Sequence, residues 1–284
     1  MNSVIDSSRA ELLRLRRWPA VWVTVGVWVF LALMFGYVFN YVSYKTGDLS
    51  FSNEGATTAS IFAQLLPAAA PDVLLQGMPM FGGALMLVLG GLTAGSGYGW
   101  GTWKTIFTQG PSHRAVIGGS MLTLSAVVAM IVLLTTALCL GVSTTIALTE
   151  GTDLVWPAAG ELLRAAVVGF GVLELWALAG YTVGTLARGP ALAVGLGLVW
   201  TLVVENLLRG VGSLLGPVAS LTHVLPGTAA GSLVGAVIGV EPGTDGTPGV
   251  LDVLDATRAV WTVAAYLLAF VVVTLVVTER RDIA

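Results

Sequence analysis

Few side chains in this sequence can do chemistry, and most of those that can lie in apolar surroundings. Glu174 falls near the middle of an apolar run from Ala165 to Ala187. A carboxylate at the centre of a membrane span must be paired, protonated or facing water. There it can hold a basic partner, relay a proton or touch a substrate; the plainer reading is a protonated, hydrogen-bonded packing residue. Glu205 and Arg209 are four residues apart, so on a helix they share a face and can pair. A local ion pair at the membrane interface is the simplest account of them. The histidines, His113 and His223, are far apart, and no H-x-x-x-H or C-x-x-C spacing occurs, so no metal site is expected. The single cysteine, Cys139, excludes an internal disulfide. Within its apolar run it reads as a packed core thiol.

Several reaction classes have no support. There is no G-x-x-x-x-G-K-[ST] loop, and the lysines are Lys45 and Lys104 alone, so the chain is not expected to bind ATP in the P-loop manner. Gly95, Gly97, Gly99 and Gly101 do not follow a strand, which argues against a dinucleotide fingerprint. No G-x-S-x-G or H-E-x-x-H occurs, so an intramembrane hydrolase is not indicated. The chain is read as a non-enzyme with no cofactor and no nucleic-acid partner of its own.

A different kind of chemistry, recognition, is concentrated in residues 98–114. This amphiphilic island carries Tyr98, Trp100, Trp103 and Phe107, the cations Lys104 and Arg114, and no acid. Gly101-Thr102 can start a helical turn, with the Thr hydroxyl accepting from an orphan amide. Gly110-Pro111-Ser112 can end it and start the next helix, since Pro is tolerated at the first helical position. A helix of about two turns across the membrane surface is expected. The plainer reading of the aromatics is an interfacial belt; the alternative is a docking surface for a partner.

The elements that would position these residues follow from composition. The chain has 284 residues, 56% hydrophobic and 10% charged, with a mean hydropathy of +0.88. Soluble domains average about 25% charged. Apolar runs of about 18 or more residues recur, and each reads as a membrane span. The expectation is a single all-α transmembrane domain over residues 1–284. Residues 1–18 read as an amphipathic interfacial helix capped by Ser3 or Asp6. Val4, Ile5, Leu12, Leu15 and Trp18 fall in one arc, with Arg9, Arg14 and Arg17 outside it and directed to anionic headgroups. It is not read as a cleavable signal.

Six spans are expected, about Val21–Tyr41, Val73–Ala94, from after Arg114 to near Thr149, Ala165–Ala187, Ala191–Leu208 and Val260–Val277. Between the first two, Ile61–Leu66 reads as an interfacial stretch stopped by Pro67. Residues 217–240 are apolar enough for a seventh span, but Pro226-Gly227 breaks them, so they read as a re-entrant external hairpin. Gly231, Gly235 and Gly239 would let a helix there approach another closely. Pro242-Gly243 and Pro248-Gly249 mark an exposed loop. With six spans, Arg9, Arg14, Arg16, Arg17, Lys104, Arg114, Arg188, Arg280 and Arg281 share one side. Lys45, Arg164, Arg209 and Arg258 share the other. By the positive-inside rule the first side, with both termini, is cytoplasmic in a cell-membrane protein.

The chain resembles a membrane subunit of the type 2 ABC exporter permease family, of the bacterial single-domain kind. The resemblance covers essentially the whole length. Its most specific part is Gly101-Thr102-Trp103-Lys104-Thr105, followed by Thr108-Gln109-Gly110-Pro111-Ser112 and Arg114. In that family this region is the coupling helix that docks on a separate ATPase subunit. The family often has an acid just before the Gly-Thr; Gly97 and Gly99 occupy that neighbourhood here. The resemblance implies two permeases, as a homodimer or heterodimer, with ATPase chains that hold ATP and Mg. Trp100, Gly101, Thr102, Trp103, Lys104, Phe107 and Arg114 would then form the docking surface. A path lined by the second and fifth spans would carry a hydrophobic or amphiphilic cargo: a drug, antibiotic, lipid or peptide. The competing readings are a proton-coupled secondary transporter using Glu174 and a scaffold or sensor subunit that does not transport.

Overall fold

The computed structural model describes residues 4–48, 57–109, 111–212, 214–239 and 247–280. These residues are helical, with no strand among them. Ser3, Glu54, Gly110, Val240, Glu241, Pro242-Gly243, Asp245 and Arg281 lie outside the described residues.

Helix α1 is Val4–Arg17. Six helices are long and apolar enough to cross a membrane: α2 (Pro19–Thr46), α5 (Met78–Gly99), α7 (His113–Thr149), α8 (Ala159–Ala187), α9 (Pro190–Gly212) and α12 (Ala256–Arg280). Between α2 and α5 stand α3 (Thr58–Leu65) and α4 (Pro67–Leu75), bent by 76°. Between α9 and α12 stand α10 (Gly216–Thr222) and α11 (Pro226–Ile238), bent by 71°. A short helix, α6 (Thr102–Thr108), separates α5 from α7. The chain is a multi-pass helical membrane protein. Successive long helices alternate in direction, so one end of the bundle gathers α1, α6 and the α8–α9 turn. That end also collects most of the arginines, and is called the basic end below.

Two features depart from the sequence reading at α5. The second span begins at Met78 and not at Val73, because the chain reverses at Gly77, whose φ of 74° is left-handed. Ile61–Leu66 belongs to the α3–α4 pair: Ile61 and Leu65 turn inward and are buried with Leu74 and Leu75, while Ala63 and Gln64 are exposed. Pro67 stops α3 as expected and, like Pro71, also starts a helical turn, as its fixed φ permits.

The core is the contact between α5 and α8, and its reason is glycine. A Cβ on Gly90 would overlap the Ala177 carbonyl, and one on Gly180 would overlap the Leu87 carbonyl. Gly184 faces the Gly91 carbonyl in the same way. Without side chains between them the two backbones touch, as in small-residue membrane crossings. Helix α9 closes on α5 through Gly197, whose missing side chain makes room for Leu87. The turn from α8 to α9 is tight: Arg188 takes φ 51° and Pro190 is the first residue of α9. Helix α2 is tied to α7 by polar contacts. Trp28 Nε1 donates to Thr135 Oγ1 at 2.9 Å, and the Tyr37 hydroxyl donates to the Cys139 carbonyl at 3.1 Å. Cys139 is a buried free thiol, as its apolar run implied. Three long helices carry π segments, at Met34–Val38, Met78–Gly82 and Val199–Val204.

Helix α7 has 37 residues, about 55 Å at 1.5 Å per residue, and outruns a ~30 Å hydrocarbon core. The glycine series of α11 meets loop as well as helix: Gly231 lies against Gly249 and Leu251, and its carbonyl accepts from Leu251 N at 3.1 Å. Gly239 is left-handed and ends α11.

Candidate functional site

Helix α5 ends at Gly99, and Trp100 and Gly101 turn the chain into α6. Gly101 has φ 67°, so the reversal needs a residue without Cβ. Thr102 does not cap α6; it is the first helical residue, and Gly101 holds the cap position with no side-chain bond. Seven residues give α6 about two turns and two faces.

Its inner face is fastened to the chain. Trp103 is only 4% exposed. Its indole N–H donates to the Ala94 carbonyl at 3.0 Å, and its ring fills the space that a side chain at Gly97 would need. Phe107 lies 6.0 Å from Trp103 and stacks on His113 at 4.1 Å. Of the three aromatics expected to face a partner, Trp103 and Phe107 therefore turn toward the chain and Trp100 does not. Ser112, and not Pro111, starts α7: its Oγ accepts from Ala115 N at 3.3 Å, as an N-cap. Arg114 is paired with Glu279 at the end of α12. That acid was in plain view in the sequence, but 165 residues separate the two.

The outer face is open. Trp100 is 67% exposed, and Gly101, Lys104, Thr105 and Thr108 are exposed beside it. The threonines satisfy themselves locally: Thr108 Oγ1 donates to the Thr105 carbonyl at 2.9 Å and Thr105 Oγ1 to the Gly101 carbonyl at 3.3 Å.

Helix α1 packs beside this site on the first turns of α7. Ser7 and Leu15 are buried. Gly119 leaves the room that Ser7 occupies, and Thr123 Oγ1 donates to the Ser8 carbonyl at 3.0 Å. Asp6 lies in the first turn of α1. Arg9 and Arg17 are exposed, while Arg14 is half-buried and uses most of its donors within the protein. It donates to Glu11 through Nε at 2.8 Å and Nη2 at 2.5 Å, and reaches Thr93 O at 3.3 Å and Ser96 Oγ at 3.5 Å on α5. Ser120 Oγ of α7 also donates to Glu11, at 3.0 Å. The i, i+3 spacing of Glu11 and Arg14 was the available signal for this cluster. Of the apolar arc, Leu15 is buried and Trp18 half-buried, while Val4, Ile5 and Leu12 are exposed. Trp18 stands edge-on to Trp100 at 6.1 Å, with the Arg14 guanidinium 5.3 Å from its ring. So α1 and α6 both hold the last turns of α5, one through Thr93 and Ser96, the other through Ala94 and Gly97.

Two carboxylates lie deeper. Glu174 on α8 is 6% exposed. Its Oε1 lies 2.5 Å from Ser125 Oγ of α7, and its Oε2 has no partner among the described residues. Glu205 is 1% exposed and sits where the π segment of α9 ends. Arg209 is near it at 4.0 Å, but that is the weakest of its contacts. Its Oε1 accepts from Trp200 Nε1 at 2.9 Å and from Gly227 N at 3.3 Å. Arg209 instead donates to Asn206 Oδ1 at 2.8 Å. Glu205 thus caps the start of α11, where amide donors and the helix dipole favour a negative group. Gly227 leaves the room that the carboxylate occupies; a Cβ there would displace it. The predicted ion pair is present at 4.0 Å, and the closer tie between α9 and α11 is what sequence reasoning missed.

A third acid serves the opposite end. Glu150, just past α7, accepts from Lys45 Nζ at 2.7 Å and from the Tyr41 hydroxyl at 2.7 Å. These two donors, Lys45 first, hold its carboxyl below the usual carboxylate range.

Chemically, the basic end offers an exposed face on a helix fastened to α5, and the described residues of the bundle interior include a carboxyl group, Glu174, with spare hydrogen-bonding capacity. Compared with models of protein families the chain matches none, and compared with curated proteins it finds no relative.

Proposed function

We propose that the chain is the membrane-spanning subunit of an ATP-driven exporter similar to the type 2 ABC permeases, energised by a separate ATPase that binds ATP and Mg. The observation that carries this reading is α6. Its inner face is locked to α5 by Trp103, while its outer face leaves Gly101, Lys104, Thr105 and Thr108 free, with Trp100 at the edge. A helix mounted this way passes a push on its outer face to α5. A two-state bundle can be biased by nucleotide through such a contact. Two copies of the permease would enclose the path, and its apolar walls favour a hydrophobic or amphiphilic cargo.

In this reading the basic end is cytoplasmic. Arg9, Arg14, Arg16, Arg17, Lys104, Arg114, Arg188 and Arg280 outnumber Lys45, Arg164, Arg209 and Arg258 at the other end, which accords with the positive-inside rule. Helix α1 lies at the inner membrane surface, and the bent pair α10–α11 dips into the outer leaflet and returns.

Proton-coupled transport through Glu174 is the second reading, favoured by the unpartnered Oε2. One experiment separates them. The tagged chain is expressed with its neighbouring genes, purified in mild detergent and assayed for a co-purifying ATPase and for efflux. The docking reading expects Lys104→Glu with Thr108→Arg to release the ATPase and Glu174→Gln to retain it. Efflux without any nucleotide-hydrolysing partner, lost in Glu174→Gln, would replace it with the proton-driven reading.

A further inference from the structure

We propose that the groove between α1 and the end of α5 is a binding site for the phosphate group of an anionic phospholipid. The groove is open, has a volume of about 470 Å³ and is lined by Leu13, Arg14, Arg17, Trp18 and Trp100. Its spare side-chain polar atoms are donors. Arg17 makes no hydrogen bond or ion pair among the described residues, and neither the Trp18 nor the Trp100 indole N–H meets an acceptor there. Arg14 directs Nε and Nη2 to Glu11, but Nη1 has only Ser96 Oγ, 3.5 Å away, for its two hydrogens. Glu11 is the acid of this cluster, and it is already occupied by Arg14 and Ser120. A groove whose free side-chain groups are guanidinium and indole donors favours an anion over a cation.

Position decides which anion. Trp18 directly precedes the first residue of α2, and Trp100 directly follows the last residue of α5. The groove therefore lies where two apolar helices leave the hydrocarbon, the level that Trp side chains favour. Leu13 and the two indoles, edge to face at 6.1 Å, supply an apolar floor for glycerol and the first acyl carbons. Inorganic phosphate would make no use of that floor. The inference rests on the basic end lying at a membrane face; it does not require the ATPase.

Native mass spectrometry of the full chain provides the test. The protein is delipidated in detergent and offered phosphatidylglycerol, phosphatidylcholine or inorganic phosphate. One phosphatidylglycerol should be retained in preference to phosphatidylcholine. Arg17→Gln should lower that retention about fivefold, the effect of one arginine near anionic headgroups, and Trp100→Ala should lower it as well. Arg164→Gln, at the opposite end, should leave it unchanged. Arg17 and Trp100 are exposed, so these variants keep the fold, which equal thermal unfolding verifies. Equal retention of both lipids, or retention indifferent to Arg17→Gln, overturns the proposal. So does displacement of the lipid by an equal concentration of inorganic phosphate, which would mark a soluble-anion site. A purified complex in which a partner chain shields Arg17 and Trp100 and no lipid is retained overturns it in favour of protein. Failure of ATPase capture bears only on docking and leaves these lipid measurements intact.

Discussion

Glu150 joins two helices that the sequence keeps far apart. With Lys45 and Tyr41 both donating to it, the outer ends of α2 and α7 are clamped only while the carboxyl is ionised. Its pKa in the folded protein is lowered, chiefly by Lys45. The clamp's contribution is therefore complete above the unfolded-chain value of about 4.3 and is lost as pH falls through the lower folded value. The thermal midpoint in detergent should drop on acidification below about pH 4, and Glu150→Gln should flatten that part of the profile. Identical acid profiles for the two proteins would remove Glu150 from the account. At the same scale, the sequence identified the residues that matter at the basic end but not their directions. A seven-residue helix has two faces, and nothing local says that Gly97 is the notch that turns Trp103 inward. Arg14 misled for a related reason: its partners on α5 are about 80 residues away.

Helices α5 and α8 carry the next prediction. Gly180→Ala would drive a methyl group into the Leu87 carbonyl, and overpacking of this kind costs about 1–3 kcal/mol. Gly171→Ala on the same helix meets nothing within 4 Å and should be neutral. Thermal midpoints of the two variants compare them directly; equal midpoints would mean that the backbones can part without cost. Six long apolar helices were legible because a membrane span needs a long apolar run, and hydropathy reads that directly. The partners were not legible. Lipid and protein interior are equally apolar, so an apolar face does not announce which of them it meets. For that reason the inward side of Ile61–Leu66, Ile61 and Leu65, was not told apart from its exposed side, and the seam of Gly90, Gly91, Gly180 and Gly184 drew no expectation. The π segments left no mark in the composition, and Glu205 was visible as a charge but not as the cap of a helix 22 residues further on.

Across the whole molecule, alternation of the long helices fixes which loops share an end, and the orientation assigned to the basic end can be tested as one property. In a Cys139→Ala background, single cysteines at Asp153 and Thr108 would be challenged with a membrane-impermeant maleimide on intact cells. Asp153→Cys should label and Thr108→Cys should not; the reverse pattern would invert the topology and with it the side from which any ATPase acts. The seam between α5 and α8 has a further consequence, in the order of synthesis. Helix α5 is among the least apolar of the six and the most enclosed by protein. It leaves the ribosome well before α8, the helix that fills its glycine face. While α7 is being translated, α5 has neither the apolar surface to dissolve readily in lipid nor the neighbour that will cover its backbone. A chain truncated after α7 should therefore hold α5 less firmly in the membrane than the full chain does, which makes the fourth span the one expected to complete insertion of the second.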